Sequence, residues 1–494
     1  MKNKIIVIVA MLTVSAMELF AEEDIWTYYE TATNTKTKIG SGYIESKLWK
    51  LYAERNLSKD LENLTVSGLN GEFYGTEPAP INLTYVEDGL NPDIKYKVTT
   101  VGNITGSSAN QNRLWTNRMN ITEFIAPYCT AVSTDQYAFY RCSAMTNVVF
   151  SSEISTISEK AFVDCWNLEN FYPTRILCTS IGYQCFNNCR KLNVKFEFPN
   201  LTSLGSQAFI YCYALKGVSL PNIKVVSSRA FEECHEIEEV YAPNATNVSQ
   251  AAFKNCSKLA KVTLSNEVMQ VQKEAFIGCA SLDPEFLNKY LGKSLRYIGS
   301  TDFQTKTMAS EFSGCKLLTS LNWKFPNLQT NVVNDSCFSG CSSLGKVVFK
   351  TPVVEIRGSA FWNIKPGAQV YMHKEVPSVY GALAVSRIAD GQAYPQIFLS
   401  GNEEEWLKVI GENNTVIRKE EFNGAECLKN YASYMIKDDS VCDFEEVVSG
   451  KTTTISRVWM KKRGVIAFVY YAGKSDKYGA WVMRAPQGFS VNIR

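Results

Sequence analysis

The stretch from Ala208 to Pro243 reads AFIYCYALKGVSLPNIKVVSSRAFEECHEIEEVYAP and states one pattern twice. In each half an Ala-Phe pair precedes a cysteine three residues after the ring: Phe209/Cys212, then Phe231/Cys234. An apolar residue follows (Leu215, Ile237), then an alternating apolar pair (Val218 and Leu220, Val240 and Ala242) and a proline (Pro221, Pro243). The alternation has the period of a strand whose apolar side chains turn inward, leaving Ser219 and Tyr241 outside. The proline ends it.

Outward from this stretch the same pair recurs at Phe139/Cys142, Phe162/Cys165, Phe186/Cys189, Phe253/Cys256, Phe276/Cys279, Phe312/Cys315 and Phe338/Cys341. The nine cysteines are separated by 23, 24, 23, 22, 22, 23, 36 and 26 residues. A period near 23 predicts a solenoid, in which each unit buries its apolar face only against its neighbours.

The unit resembles the leucine-rich repeat family, and within it the BspA-like bacterial surface type, which reads A-F-x-x-C-x-x-L-x-x-V-x-L-P. Ala208, Phe209, Cys212, Leu215, Val218, Leu220 and Pro221 carry the match, as do Ala230, Phe231, Cys234, Ile237, Val240 and Pro243. The resemblance implies a repeat α/β fold, a leucine-rich-repeat solenoid of about ten rungs over residues 118 to 375. A degenerate first rung lies at Ile121, Phe124 and Ala126, and the last has Ala360 and Phe361 with Ile364 in the cysteine position. The long step between Cys279 and Cys315 holds an insertion, which in a solenoid maps to a loop on one face.

Fifteen cysteines in an exported chain would ordinarily suggest disulfides. Nine of them repeat at one position per rung and are expected to form a buried column, each thiol acting as a small hydrophobe. A serine there would bury a hydroxyl without an assured partner, so it is expected to cost more than alanine. The off-column set is Cys129, Cys178, Cys185, Cys337, Cys427 and Cys442, of which the last two could close a short loop. Cys185/Cys189 has the close spacing of a metal knuckle but lacks partners; no metal or other cofactor is expected.

The flanks differ in texture. Residues 1–21 have Lys2 and Lys4, an apolar run from Ile5 to Leu12 and small residues to Ala21, the pattern of a secretory signal peptide. Residues 22–117 read as an N-terminal cap, with a helix expected from Tyr43 to Asn56, a rung-like segment from Leu61 to Gly71, and a loop from Gly102 to Arg113. Residues 376–422 read as a C-terminal cap with helical spacing at Glu403 to Ile410, after a closing strand at Val370 and Tyr371. Residues 423–494 read as a small antiparallel meander, with strands at 455–460, 465–472, 480–484 and 489–493.

The net charge of +2 falls to +1 when residues 1–21, with two lysines and one glutamate, are removed. That near-neutral balance gives no footprint for nucleic acid, and no later segment is apolar enough to span a membrane. Only two histidines, His235 and His373, could serve a nucleophile, and they lie in separate repeats. The expectation is therefore a non-enzymatic protein, secreted or at the cell surface.

The resemblance implies adhesion to host matrix proteins or other cells, through an extracellular protein or glycan partner. The alternatives are a carbohydrate-binding accessory protein of the envelope and a structural envelope protein. The residues expected outside on the strand face are Val149, Tyr172, Glu197, Ser219, Tyr241, Thr263, Asn322 and Val348, and tyrosine in such a row supplies amphipathic contact area.

Overall fold

A computed structural model describes residues 26–34, 39–56, 63–73, 77–84, 86–101, 120–132, 137–299, 310–329, 332–353, 355–356, 360–366, 368–371, 378–379, 396–399, 441–448, 451–458, 465–470 and 479–484. The chain divides into two compact units, Met1–Cys212 and Tyr213–Arg494. Each is described by itself.

The first unit opens with seven strands, β1 (Trp26–Asn34), β2 (Ile39–Glu45), β3 (Trp49–Asn56), β4 (Asn63–Phe73), β5 (Ala79–Asn82), β6 (Val86–Asp88) and β7 (Lys95–Val101). Six of them close on themselves in the order β4-β3-β2-β1-β6-β7, with β7 returning to β4. Closure leaves no free edge within the ring. Trp26, Tyr28, Ile44, Leu51, Ala53, Leu64, Val66, Tyr96 and Val98 are buried. The helix expected from Tyr43 to Asn56 is thus a β-hairpin, in which Tyr43 faces Tyr52 across the pair. Leu51 and Ala53 are buried at period two, and Ser46 Oγ accepts the Leu48 N–H in the turn that reverses the chain. Of the segment from Leu61 to Gly71, residues 63–71 lie in this ring as part of β4, and Leu61 and Glu62 lie outside the described residues. The rung upstream of Ile121 is β5, whose Ile81 pairs with Phe124. The expected loop at 102–113 lies outside the described residues.

Each solenoid rung has three sides. The first is a short strand five to seven residues after the cysteine, as at Glu239–Tyr241, paired in parallel with Gly217–Ser219 and Lys261–Thr263. The second is a two- or three-residue strand, as at Asn247–Val248. The third is the Phe/Cys turn, which forms a hydrogen-bond ladder of its own. Ala251, Phe253 and Asn255 donate to Lys273 O, Ala275 O and Ile277 O of the next rung, at 2.9, 2.9 and 2.7 Å. In the first unit Lys160, Phe162 and Asp164 donate in the same way to Tyr183 O, Cys185 O and Asn187 O. This requires left-handed backbone at the residue two before the ring and the residue before the cysteine, as at Ala251 (φ 52°) and Asn255 (φ 61°). Glycine, which takes that conformation without cost, occupies the second position at Gly278, Gly314 and Gly340.

Side chains stack as regularly as the backbone. In the first unit Phe139, Phe162, Phe186 and Phe209 stack within 6° of parallel, at 4.9 to 5.2 Å between centroids. In the second, Phe253, Phe276, Phe312 and Phe338 stack at 5.2 to 5.6 Å. The thirteen cysteines from Cys129 to Cys341 are all free and buried. Cys427 lies outside the described residues.

The column thiols are not merely apolar fillers. Cys165, Cys189 and Cys212 each donate to the carbonyl of the phenylalanine one rung before, Phe139, Phe162 and Phe186, at 3.0 to 3.1 Å. Cys256, Cys279, Cys315 and Cys341 do the same to Phe231, Phe253, Phe276 and Phe312. The expectation that serine would find no partner is corrected by this acceptor. At the last rung Ile364 fills the cysteine position and is buried.

The long step after Cys279 holds α1 (Phe286–Tyr290) where other rungs place their first strand. Instead of forming only an external loop, the insertion buries Phe286, Leu287 and Tyr290. The second-side ladder continues beyond it, Gln270 pairing with Tyr297. Residues 300–309 lie outside the described set.

At the far end, Gln369–Tyr371 does not close the sheet, because Gln396–Leu399 pairs with it in parallel. Gly479–Arg484 joins next, followed by the antiparallel strands Val465–Tyr470, Lys451–Val458 and Val441–Val448. The meander is therefore fused to the ladder. The expected helix at 403–410 and strand at 489–493 lie outside the described residues.

One rung breaks the pattern with a charge. The residue before the phenylalanine is small at Ala252, Ala275, Cys337 and Ala360 but is Glu311 before Phe312. Glu311 is fully buried, and its Oε1 accepts Asn334 Nδ2 at 2.9 Å, while its Oε2 has no hydrogen-bond partner. Gly299 (φ 93°) makes the space: a Cβ there would lie 2.2 Å from Asn334 Nδ2 and 2.4 Å from Glu311 Oε1. Burial pushes the carboxyl from 4.5 up to about 7, against the opposing hydrogen bonds from its own N–H, Cys337 and Asn334 and the Lys273 charge.

Three expectations follow from this packing. Cys256→Ser keeps a donor for Phe231 O and should destabilise less than Cys256→Ala, which should cost about 1 to 2 kcal/mol; chemical denaturation of both variants checks the order. Phe253→Ala should cost about 3 to 5 kcal/mol and speed hydrogen exchange first in adjacent rungs, whereas uniform loss of protection would contradict nearest-neighbour stacking. For Glu311, the folded carboxyl holds its proton to higher pH than the unfolded one. Stability should therefore fall as pH rises from about 4.5 to about 7 and then level off, by on the order of 3 kcal/mol. Glu311→Gln should remove that slope in melts taken across the range.

Candidate functional site

The strand face is built by the residues between the inward apolar positions. In the first unit Val149 pairs directly with Tyr172, which is 44% exposed. Glu197 does not join them. It bridges to Arg175, because the chain between the shared ladder contacts is one residue longer in the Cys165 rung than in the Cys189 rung. An exposed Arg175 to Glu197 ion pair at 3.8 Å accompanies the bridge. In the second unit Ser219, Tyr241 and Thr263 lie in one register row, and Tyr241 is 41% exposed. Asn322 and Val348 form another row with Tyr371. Between these rows stands α1: Asn288 Oδ1 accepts the Asn322 N–H at 2.9 Å, and its Nδ2 donates to Ser320 Oγ at 2.8 Å. Asn288 was not among the residues expected on the face, since its place depends on a helix replacing a strand.

Around Tyr241 the face carries ion pairs between adjacent rungs. Glu236 accepts from both Lys216 and Lys258, at 3.2 and 2.7 Å, and Glu239 from Lys261 at 2.6 Å. Hydrogen bonds from the two lysines hold the Glu236 carboxyl below its usual range. Exposed pairs of this kind add little stability but order the side chains.

A second surface lies at the Phe/Cys turns of the first unit. Asp164, the residue before Cys165, accepts from Arg141 Nε (3.3 Å), Trp166 Nε1 (3.3 Å) and Asn188 Nδ2 (2.6 Å), donors drawn from three rungs. Arg190 Nε donates to Asn188 Oδ1 at 2.8 Å, and its guanidinium lies 5.8 Å from the Trp166 ring centre. Arg141 lies 5.0 Å from the centre of the Tyr140 ring. Arg141, Trp166, Arg190 and Tyr211 are exposed. Left-handed backbone at the residue before each cysteine sets the direction of Arg141, Asp164, Asn188 and Tyr211, and a period count on hydrophobic residues passes over all of these side chains. Reading the positions flanking each cysteine as a row would have found them.

Of the two histidines, His235 is a surface residue, stacked on Tyr213 at 5.0 Å with Nε2 2.8 Å from Glu233 Oε2. His373 lies outside the described residues. Among the described residues, no cluster of His, Cys, Asp and Glu could hold a metal ion.

A family model described as "BspA type Leucine rich repeat region (6 copies)" matches residues 108–193, 179–309 and 290–381, more than half of the chain. No curated protein matches the chain. Among solved structures, it is similar to a leucine-rich repeat protein from Bacteroides ovatus, at 18% identity and a TM-score of 0.35, over 65% of this chain and 92% of that one. It is similar to a leucine-rich repeat protein from T. pallidum at 21% identity and a TM-score of 0.32, over 55% and 98%. A leucine-rich cell surface protein from Faecalibacterium prausnitzii matches at 16% identity and a TM-score of 0.27, over 65% and 94%.

Proposed function

The chain belongs to the BspA-type leucine-rich repeat family, and from that premise we propose that it is an exported, non-catalytic protein of the bacterial surface that recognises a macromolecular partner through its strand face. The observation that carries this reading is the exposure of a large aromatic ring on the strand face of each unit, Tyr172 beside Val149 and Tyr241 between Ser219 and Thr263. Tyrosine loses little side-chain entropy on binding and offers both an apolar face and a hydroxyl, so it favours protein partners. The ion-pair ladder at Glu236 and Glu239 keeps the surround ordered and polar, as at an interface rim. The pairing of His235 with Glu233 and Tyr213 leaves it better explained as a surface support than as a base.

Surface-immobilised matrix proteins offered to the full chain test this. The Tyr172→Ala/Tyr241→Ala double variant should bind any matrix partner at least about tenfold more weakly, while its thermal midpoint stays within a few degrees of the parent. Unchanged affinity would move the site off this face.

A further inference from the structure

The turns of the first unit carry side chains that their backbone disfavours. Arg141 and Tyr211, each just before a column cysteine, hold left-handed φ values of 59° and 62°. The turn imposes that conformation on whatever residue stands there, and so fixes the direction in which the side chain leaves the rung. In the second unit the same left-handed position holds Glu233, Asn255, Gly278, Gly314 and Gly340. The residue after the cysteine is Ser143, Trp166 and Arg190 in the first unit and His235, Ser257, Ala280, Lys316 and Ser342 in the second, so the exposed Trp/Arg pair occurs only in the first.

The result is a row of rings and guanidiniums beside the cysteines of four successive rungs: Tyr140 and Arg141 before Cys142, Trp166 after Cys165, Arg190 after Cys189 and Tyr211 before Cys212. Successive rungs of a parallel ladder lie about 4.8 Å apart, and the groups stand on either side of the cysteines along that ladder. The row is held before any partner arrives. Asp164 pins Arg141 and Trp166, and Asn188 pins Arg190. Its charge is two guanidiniums against one carboxylate, and that carboxylate already accepts three hydrogen bonds.

We propose that this row is a second binding surface, separate from the strand face, and that it takes an acidic polysaccharide of the uronate type. Guanidinium forks match carboxylates in two parallel hydrogen bonds. The negative face of an indole or phenol ring attracts the C–H side of a sugar. A polymer with a carboxylate on a regularly repeating ring presents these two features side by side, as the row does. An extended acidic peptide turns successive side chains to opposite faces and matches such a row less well. The assignment stands independently of the strand-face reading.

The test is titration of the full chain with polygalacturonate and hyaluronate, beside fully methyl-esterified polygalacturonate and poly-L-glutamate. At least one uronate polymer should bind, and the methyl ester, which keeps the sugar and loses the charge, should bind at least about tenfold more weakly. Trp166→Ala and Arg190→Gln, both at exposed positions, should each weaken uronate binding about tenfold with unchanged thermal midpoints, and Tyr241→Ala should leave it intact. Failure of both uronates to bind would overturn the proposal. So would equal binding of the methyl ester, poly-L-glutamate binding as tightly as the uronates, or full affinity in either row variant. Loss of strand-face binding alone would bear only on the other surface.

Discussion

Each rung depends on hydrogen bonds it cannot make within itself. In the Phe/Cys turn every second N–H points to the next rung, and the cysteine thiol points back to the carbonyl of the rung before. A buried amide left unpaired costs about 1 to 3 kcal/mol, so a rung without neighbours would be heavily penalised at this side alone. The left-handed residues two before the ring and one before the cysteine create the arrangement, by turning alternate donors the same way. With the backbone so aligned, the phenylalanine rings have little choice but to lie parallel, one rung apart.

A stack of this kind has an end problem, and the first unit meets it with strands. The closed ring of β1 to β4, β6 and β7 has no free edge within it, yet β7 also extends to pair Thr100 with Ala131 on the second-side ladder. Meanwhile β5 pairs with Ile121–Ile125 on the first side. The ladder therefore starts on strands that are already hydrogen-bonded. Within the second unit, the meander's Gly479–Arg484 plays the corresponding part against Gln396–Leu399.

Departures from the repeat mark the places where structure and function separate. Glu311 sits where its neighbours have alanine or cysteine, and only the missing side chain of Gly299 gives it room. The first helix replaces a strand and supplies Asn288 to cap Asn322. The Arg, Trp and Tyr residues flanking the cysteines of the first unit leave the core column untouched, because their side chains project from the outer side of the same turn. The repeat can thus vary its surface without altering what holds it together.

Much of this was legible in the chain itself. The period of 23, the inward positions Val218, Leu220, Val240 and Ala242, the buried cysteine column and the degenerate rung at Phe124 all follow from residues that must be apolar once per turn. Packing of that kind leaves its period in the letters, because each rung meets the same demand from its neighbours. Other features left no such mark. The hairpin of β2 and β3 was misread as a helix, since Leu48, Leu51 and Tyr52 fit a helical face as well as a strand, and only pairing with β1 and β4 chose between them. The place of Glu197 beside Arg175, the space for Glu311 and the convergence of Arg141, Trp166 and Asn188 on Asp164 were decided by tertiary structure alone. In each case the deciding contact joins different rungs, and its direction is set by backbone angles and small differences in rung length that residue identity does not record.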